Sequence, residues 1–253
     1  QYELTLLDWV EANKGAAKYV AMANKCWPAF QTEFGFVPCY VNSRLTAMGI
    51  PTACEVDIYG ALSEYIGTCL TGECVTLLDI NNTVPANLYA ADIAGKFPYR
   101  LNETFMGFHC GNTPMCRLTK GTMKYQLIMN RGLENGGEPD ITRGTLEGDI
   151  APGEITFYRL QGNKDSQLQA YVAEGEVLPV ACHSFGGIGV FAIPEMNRFY
   201  RHVLVEGGYP HHGAVAFKHT GKAFFALMKL LGVEKVQFNQ PAGMLYKSEN
   251  PFA

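Results

Sequence analysis

The amino-acid sequence predicts an α/β region that is followed by a β-rich (α+β) region. Apolar residues recur at helical spacing through much of residues 4–48, which indicates helices. Between residues 52 and 80 strand-like and helix-like stretches alternate, which is typical of an α/β architecture. After about residue 85 short strand candidates are separated by turn residues, as in β-rich domains.

The elements of the first region follow from periodicity and from helix-breaking residues. We predict helical stretches at 4–23, 28–48 and 58–69, a short strand at 52–56 and a strand at 75–80. Gly35 and Pro38 predict a break inside the second helical stretch, and Gly49 predicts its end. The strand at 75–80 is a continuous apolar run, which favours burial on both of its faces.

The second region is predicted mainly from strand-like segments between turns. We predict strands at 121–130, 154–160, 169–173 and 235–238, and a helix at 218–231. The segment 131–153 is rich in Gly, Glu and Asp, which favours an exposed loop. We therefore expect residues 1–70 to belong to an α/β domain and residues 71–253 to a β-rich domain.

Composition excludes several classes of partner. The chain has 253 residues, of which 47% are hydrophobic, so it can bury a large core. Its 20 basic and 24 acidic residues give a net charge of −4 with no basic run, which argues against a nucleic-acid partner. No apolar stretch approaches the roughly 20 residues that cross a bilayer, and no signal peptide is recognisable. We expect a cytoplasmic protein, and the start at Gln1 inside a predicted helix suggests a fragment.

Two acidic residues follow the short strand that begins at Thr52. Glu55 and Asp57 stand at alternate positions of this predicted strand, so both are expected to point to the same side. Unpaired carboxylates are costly to bury beside apolar helices, which favours a functional or ion-paired role. For Asp57 an N-cap of the helix that begins near Ile58 is an equally good interpretation.

Asp79 and three histidines are further candidates. Asp79 ends an apolar strand, where α/β sheets build their sites, although a turn residue that bonds its own backbone fits equally well. His211 and His212 lie in a predicted glycine-rich loop that lets a ligand come close, and an incidental surface loop is the alternative. For His109 the alternative is a buried histidine that is satisfied within the core.

Together, two strand-end carboxylates and a loop histidine form the mixed oxygen and nitrogen ligand set that suits Mn²⁺, with Mg²⁺ or Co²⁺ as substitutes. A zinc site with thiolates is less favoured. The eight cysteines contain no C-x-x-C pair, and none forms a recognisable metal motif with a histidine.

Three segments resemble, in content and in order, the L-fucose isomerase family and its relatives the L-arabinose isomerases. They are residues 41–44 leading to 54–62, residues 78–82 and residues 211–213. The resemblance implies that Glu55 and Asp79 are the metal-binding carboxylates and that His212, directly before Gly213, is the histidine ligand. It covers most of the chain, since residues 152–157 also resemble a strand of the family's C-terminal domain. It implies the end of a Rossmann-like central domain followed by a barrel-like C-terminal domain.

The resemblance also implies an activity. Family members convert aldoses such as L-fucose, L-arabinose or D-galactose into the matching ketoses with the help of a divalent cation. Glu55 and Asp79 are therefore expected to act as general base and general acid in a reaction that passes through a cis-enediol. Arabinose isomerases use an additional histidine as a metal ligand, whereas fucose isomerases bind the metal through three protein ligands. His109 is therefore expected either to be an extra metal ligand or to contact the substrate. The full-length protein is expected to form a trimer or hexamer, in which a neighbouring subunit closes the site, so this chain alone is expected to be inactive.

Two other classes of function fit the same residues. One is a non-catalytic homologue that only binds sugar, and the other is a different metal-dependent enzyme with an enediolate intermediate, such as an epimerase or an aldolase. Two carboxylates on a metal are not needed for sugar binding alone, which argues against the first class. Product analysis separates the second class from an isomerase.

Overall fold

The computed structural model describes residues 1–26, 29–81, 83–126 and 142–252, and it combines helices with one large sheet. The helices are α1 (Tyr2–Asn13), α2 (Ala29–Phe34), α3 (Cys39–Ala47), α4 (Ile58–Thr71), α5 (Ala86–Leu88), α6 (Met196–Phe199) and α7 (Gly221–Leu230). The strands are β1 (Met22–Ala23), β2 (Thr52–Ala53), β3 (Thr76–Asn81), β4 (Thr104–His109), β5 (Thr122–Gln126), β6 (Thr142–Asp149), β7 (Gly153–Gly162), β8 (Leu168–Leu178), β9 (Gly187–Ala192), β10 (His212–Ala216) and β11 (Lys235–Phe238). None of the described helices is long and apolar enough to cross a bilayer.

The large sheet has nine strands in the order β11-β8-β7-β10-β3-β4-β9-β6-β5. Strand β8 pairs with β9 as well as with β7, so β8, β7, β10, β3, β4 and β9 form a continuous hydrogen-bonded ring. Strands β1 and β2 form a separate parallel pair. Strand β10 lies between β7 and β3 and is antiparallel to both, which fixes the position of its first residue, His212.

Alternate residues of the ring strands pack into two different cores. Phe157 of β7 and Leu78 of β3 belong to an aromatic cluster that also contains Phe105, Tyr171 and Phe191. Tyr158, which follows Phe157, and Leu77, which precedes Leu78, belong instead to a cluster that includes residues of α4 and α7. This two-residue period is the expected consequence of strand geometry, and it means that both faces of β3 are buried as its apolar run predicts.

Several predicted elements lie where the sequence places them. Helices α2 and α3 are separated at Gly35 and Pro38, and α4, β3 and β11 match their predicted ranges to within two residues. The first helix is shorter than predicted, because it ends at Asn13. The proposed boundary near residue 70 stays a prediction, although α4 ends there at Thr71.

The predicted loop at 131–153 is wrong over residues 142–149, which form β6. Residues 131–141 of that prediction, and residues 127–130 of the predicted strand at 121–130, lie outside the described residues. The glycines of β6 are required by close packing. Gly144 has a φ of +101° and a Cβ there would lie 2.6 Å from the carbonyl oxygen of Val37, and a Cβ at Gly148 would clash with the carbonyl oxygen of Lys120.

Close packing of α4 on the sheet gives a test of this arrangement. A Cβ at Gly67 would overlap the Tyr158 hydroxyl and lie 2.9 Å from Val75 Cγ1. We expect Gly67→Ala to lower the free energy of unfolding by about 1–3 kcal/mol, because overpacking outweighs the better helix propensity of alanine. Urea denaturation measures the change. Cys69→Ala, at an exposed position of the same helix, is the control and should stay within about 0.5 kcal/mol of wild type.

Candidate metal centre

The strand register brings three predicted site residues together. His212 and Asp79 are direct partners in the antiparallel pair of β10 and β3. Asp79 is also the partner of Phe108 in β4, so His109 follows immediately at the end of that strand. His212 therefore begins a strand rather than lying in a loop ahead of a helix as predicted, and its side chain is 6% exposed.

Three polar atoms at this place are buried and unsatisfied. Asp79 Oδ1, His109 Nε2 and His212 Nε2 have no hydrogen-bond partner among the described residues. Asp79 Oδ1 and His212 Nε2 lie 3.0 Å apart, but they are not aligned for a hydrogen bond. The three ligand atoms all lie within 4.8 Å of one another, so the group can hold a metal ion. Buried polar atoms without partners are costly, and a bound cation would satisfy all three.

A second group shares His212. Glu55, His211 and His212 also present ligand atoms within 4.8 Å of one another, and Glu55 Oε2 lies 3.8 Å from His212 Nε2. Glu55 and His211 are exposed, whereas the Asp79 carboxylate is three-quarters buried. The structure thus places Glu55 and Asp79 on separate triads around one histidine. His211 is a neighbour that the sequence interpretation passed over in favour of His212.

The expectation that Glu55 and Asp57 alternate along a strand is wrong. Strand β2 ends at Ala53, and Glu55 and Val56 have φ values of 60° and 57°. Left-handed backbone is unfavourable for such residues by roughly 1–2 kcal/mol each, so the turn must be held by its surroundings. The amide of Val56 donates to the carbonyl of Asn24 at 2.9 Å, and the amide of Glu55 donates to Cys26 Sγ at 3.4 Å. This turn sets the Glu55 carboxylate beside His212.

Asp57 is the N-cap of α4, which is one of the roles predicted for it from the sequence. Its Oδ1 accepts a hydrogen bond from the amide of Gly60 at 2.7 Å. The same carboxylate also accepts from Arg159, with 2.8 Å from Nη1 to Oδ2 and 2.8 Å from Nη2 to Oδ1. In addition, Oδ2 lies 2.8 Å from His212 Nδ1. Sequence reasoning missed Arg159, and its one signal was a charged residue inside the otherwise uncharged strand segment 155–162.

The titration behaviour of the site reflects these contacts. Burial alone would lower the pKa of His212, but the hydrogen bond with Asp57 and the contact with Asp79 outweigh it and raise this pKa to about 10. Burial would raise the pKa of Asp79, but its contact with His212 and the charges of His109 and His211 lower it. The pKa of Asp57 is held far below its usual range despite burial, because His212 and Arg159 stabilise the carboxylate.

Glu64 is a buried carboxyl group near the site. Among the described residues, no side chain of opposite charge is in contact with it. It is 1% exposed, and its Oε2 has no hydrogen-bond partner in the described part of the chain. Burial, and then the negative charge of Asp57, raise the pKa of Glu64 to about 8. The carboxyl group is therefore mostly protonated at neutral pH, and no negative charge is added beneath His212.

These features define a mixed helix and strand protein with a candidate metal centre at the edge of two neighbouring strands. Residues 107–239, which are 133 of the 253 residues, match the family described as L-fucose isomerase, C-terminal domain. The chain belongs to this family. The resemblance found from the site segments is thereby confirmed.

Curated relatives carry one name. Sulfoquinovose isomerase from Clostridium sp. (strain MSTE9) is 29% identical over 230 residues, which cover 90% of this chain and 45% of the relative. Sulfoquinovose isomerase from Alkalicoccus urumqiensis is 25% identical over 226 residues, which cover 86% of this chain and 44% of the relative. The protein of that name from Priestia megaterium is 26% identical over 218 residues, which cover 85% and 43%. The chain spans less than half the length of these relatives.

The raised pKa of Glu64 predicts a pH-dependent cost to folding. Because its pKa is about 8 in the folded protein and 4.5 as a reference, the folded state holds more protons between these values, and stability falls as the pH rises through this window. We expect Glu64→Gln to gain stability relative to wild type from pH 5 to pH 8, by at most about 1.4 kcal/mol per pH unit. Denaturation in the presence of a chelator measures this gain.

The exposed Glu154 offers the control for that measurement. Glu154→Gln should leave the difference from wild type nearly constant between pH 5 and pH 8, since its side chain is 70% exposed. A constant difference for Glu64→Gln as well would show that Glu64 is not held protonated by the fold.

Proposed function

We propose that this chain is the metal-binding, C-terminal part of an aldose–ketose isomerase. The observation that carries the proposal is the convergence of Asp79 Oδ1, His109 Nε2 and His212 Nε2, all buried and all lacking a hydrogen-bond partner in the described residues. Membership of the L-fucose isomerase family and the shared name of the relatives support the reaction class.

The proposed cofactor is Mn²⁺, with Mg²⁺ or Co²⁺ as possible substitutes. One or two carboxylate oxygens and two or three imidazole nitrogens make a mixed oxygen and nitrogen ligand set, which Mn²⁺ can bind. Among the described residues no cysteine belongs to either candidate group, which disfavours a thiolate site. Asp79 and His212 are proposed as ligands in every case, and Glu55 and His109 are proposed to complete the set.

The proposed reaction moves hydrogen between C1 and C2 of an open-chain sugar through a cis-enediol. The cation would act as a Lewis acid that stabilises negative charge as it develops on the sugar oxygens. Glu55 is half exposed and is proposed to take the proton from one carbon and return it to the other. Asp79 is more buried and is proposed to exchange a proton with the sugar oxygens. His212 has its Nδ1 occupied by Asp57 and is proposed only to bind the cation.

Sulfoquinovose is the first substrate that we propose, because all of the relatives described above are named for it. L-fucose, L-arabinose and D-galactose are the other sugars that we propose as substrates, since the resemblance to the family implies them.

We also propose that residues 1–70 end a Rossmann-like central domain, and that residues 71–253, with the ring of six strands, form a barrel-like domain. The full-length protein is proposed to be a cytoplasmic trimer or hexamer.

The activity is tested with the full-length protein, loaded with Mn²⁺ and incubated with these four sugars. NMR of the products should show the matching ketose and no cleavage of a carbon–carbon bond. An epimer or a cleavage product would point to another enediolate enzyme, and binding without conversion would point to a sugar-binding homologue.

Amide variants test the proposed roles of Glu55 and Asp79. We expect Glu55→Gln and Asp79→Asn to lower kcat by at least about a hundredfold, because each removes a proton-carrying group. The thermal unfolding midpoint should change far less than kcat, since residues at functional sites are kept for activity rather than for stability. Steady-state kinetics and a melting curve give both values, and turnover at the wild-type level in either variant would contradict its role.

The contribution of His109 is tested by metal binding. We expect His109→Gln to weaken Mn²⁺ binding on the order of tenfold or more, because His109 Nε2 would be a ligand. Titration calorimetry of the full-length protein measures the affinity. His219→Gln is the control, because that histidine contacts the carbonyl of Gly175 away from the site. Equal affinity in wild type and His109→Gln would assign His109 to the core or to the sugar instead.

A further inference from the structure

We propose that Asp57 is a positioning residue that holds the imidazole of His212 in the orientation and tautomer that present Nε2 to a cation, and that Arg159 holds Asp57 in place. This proposal rests on the proposed metal-dependent function, because it assigns a role to residues that hold a proposed ligand. The resemblance to the family assigned a role at that centre to neither residue.

The first step is the hydrogen bond between Asp57 and His212. A carboxylate can only accept, so Asp57 Oδ2 at 2.8 Å fixes the proton of His212 on Nδ1. The other ring nitrogen, Nε2, then has a free lone pair whenever the imidazole is neutral. That nitrogen faces Asp79 Oδ1 at 3.0 Å, inside the cluster of atoms without hydrogen-bond partners in the described residues. The bond thus sets both ring orientation and tautomer, as carboxylates do for many metal-binding histidines.

The second step is the anchoring of Asp57 by Arg159. The guanidinium makes two parallel hydrogen bonds to the carboxylate, at 2.8 Å each, which is a rigid and directional arrangement. Its Nη1 also donates to the carbonyl oxygen of His212 at 3.2 Å. Arg159 therefore contacts both the backbone of His212 and the partner of its ring. Its own Nε donates to Gln161 Oε1 at 3.3 Å, which steadies the buried guanidinium.

The third step is the N-cap. Asp57 Oδ1 accepts from the amide of Gly60, and a Cβ at Gly60 would lie 2.7 Å from Asp57 Cγ and 2.8 Å from Leu77 Cδ2. Only a residue without a side chain lets α4 approach the carboxylate so closely. The aspartate is consequently fixed from three elements, namely α4, β7 and β10.

A purely structural role would need less than this. A buried carboxylate that satisfies the start of a helix and pairs with an arginine stabilises a fold without any histidine. Glu103 is such a case, because its side chain closes the capping box of the short helix Leu101–Glu103, whose N-cap is Arg100. Its carboxylate accepts from the amides of Arg100 and Glu195 at 2.9 Å each and from the guanidinium of Arg100, and the residue is 7% exposed. Glu103 therefore provides a control that matches Asp57 in burial and partners but has no contact with the candidate centre.

The experiment compares Asp57→Asn with Glu103→Gln in the full-length protein. Asparagine is as good an N-cap as aspartate, so the bond from Gly60 is kept. Its amide nitrogen, however, would donate to His212 Nδ1 and favour the tautomer with a proton on Nε2, which cannot bind a cation. We expect Asp57→Asn to weaken Mn²⁺ binding about 10- to 100-fold in titration calorimetry. Glu103→Gln should lower the unfolding midpoint while its Mn²⁺ affinity remains that of wild type.

Each outcome decides between the two proposals. Weak binding in Asp57→Asn alone supports the positioning role, and wild-type binding in a folded Asp57→Asn overturns it while the proposed function stands. If the wild-type protein itself binds no Mn²⁺, both proposals fail. If Asp57→Asn does not fold, Arg159→Lys takes its place. Lysine keeps the charge but cannot hold both oxygens of Asp57, so a several-fold loss of Mn²⁺ affinity is expected and an unchanged affinity overturns the role.

Discussion

The antiparallel register of β3 and β10 is the constraint on which the candidate centre depends. It makes Asp79 and His212 direct neighbours on the face that packs towards α4. A slip of one residue would turn either side chain to the opposite face, into the aromatic cluster around Phe105 and Phe157. The register cannot slip easily, because β10 is also paired with β7 and because alternate residues of all three strands fill two different cores. The packed ring thus holds two polar side chains at a position that is unfavourable for both of them.

The groups that surround the centre reduce the free energy of unfolding more than a purely structural arrangement would. A buried ion pair such as Asp57 with Arg159 often contributes less than well-packed apolar residues would, because both charges lose their hydration. Glu64 lies buried nearby, and Glu55 and Val56 occupy left-handed backbone. These features are concentrated within a short stretch of chain around the start of α4. Such a concentration is typical of functional sites, where strain and burial are tolerated for the geometry that they create.

Local sequence patterns predicted the elements whose signals are local. The break between α2 and α3, the extent of α4 and the buried strand β3 all follow from apolar spacing and helix breakers. The patterns did not indicate β4, β9 and β10, which contain Gly107, Gly187, Gly189 and Gly213. These glycines resemble turn signals, yet Gly107 and Gly213 make room for aromatic rings across the sheet, and Gly187 makes room for the side chain of Thr113. A Cβ at Gly107 would overlap Phe191, and one at Gly213 would overlap Phe157. Such a requirement comes from a residue far away in sequence, so no local pattern can report it.

The same reasoning explains which site residues the sequence could reveal. Asp79 stands out because it follows an apolar run, and His212 stands out because a histidine pair precedes a glycine. The metal-binding role of Glu55, in contrast, was predicted from the resemblance to a family. The function of Asp57 as a partner of His212 could not be inferred, because 155 residues separate them and the N-cap already accounts for the aspartate. Arg159 gave a usable signal. A charged residue inside a buried strand requires a buried counter-charge, and a carboxylate at the start of a helix that packs on the same strand is the partner to search for first.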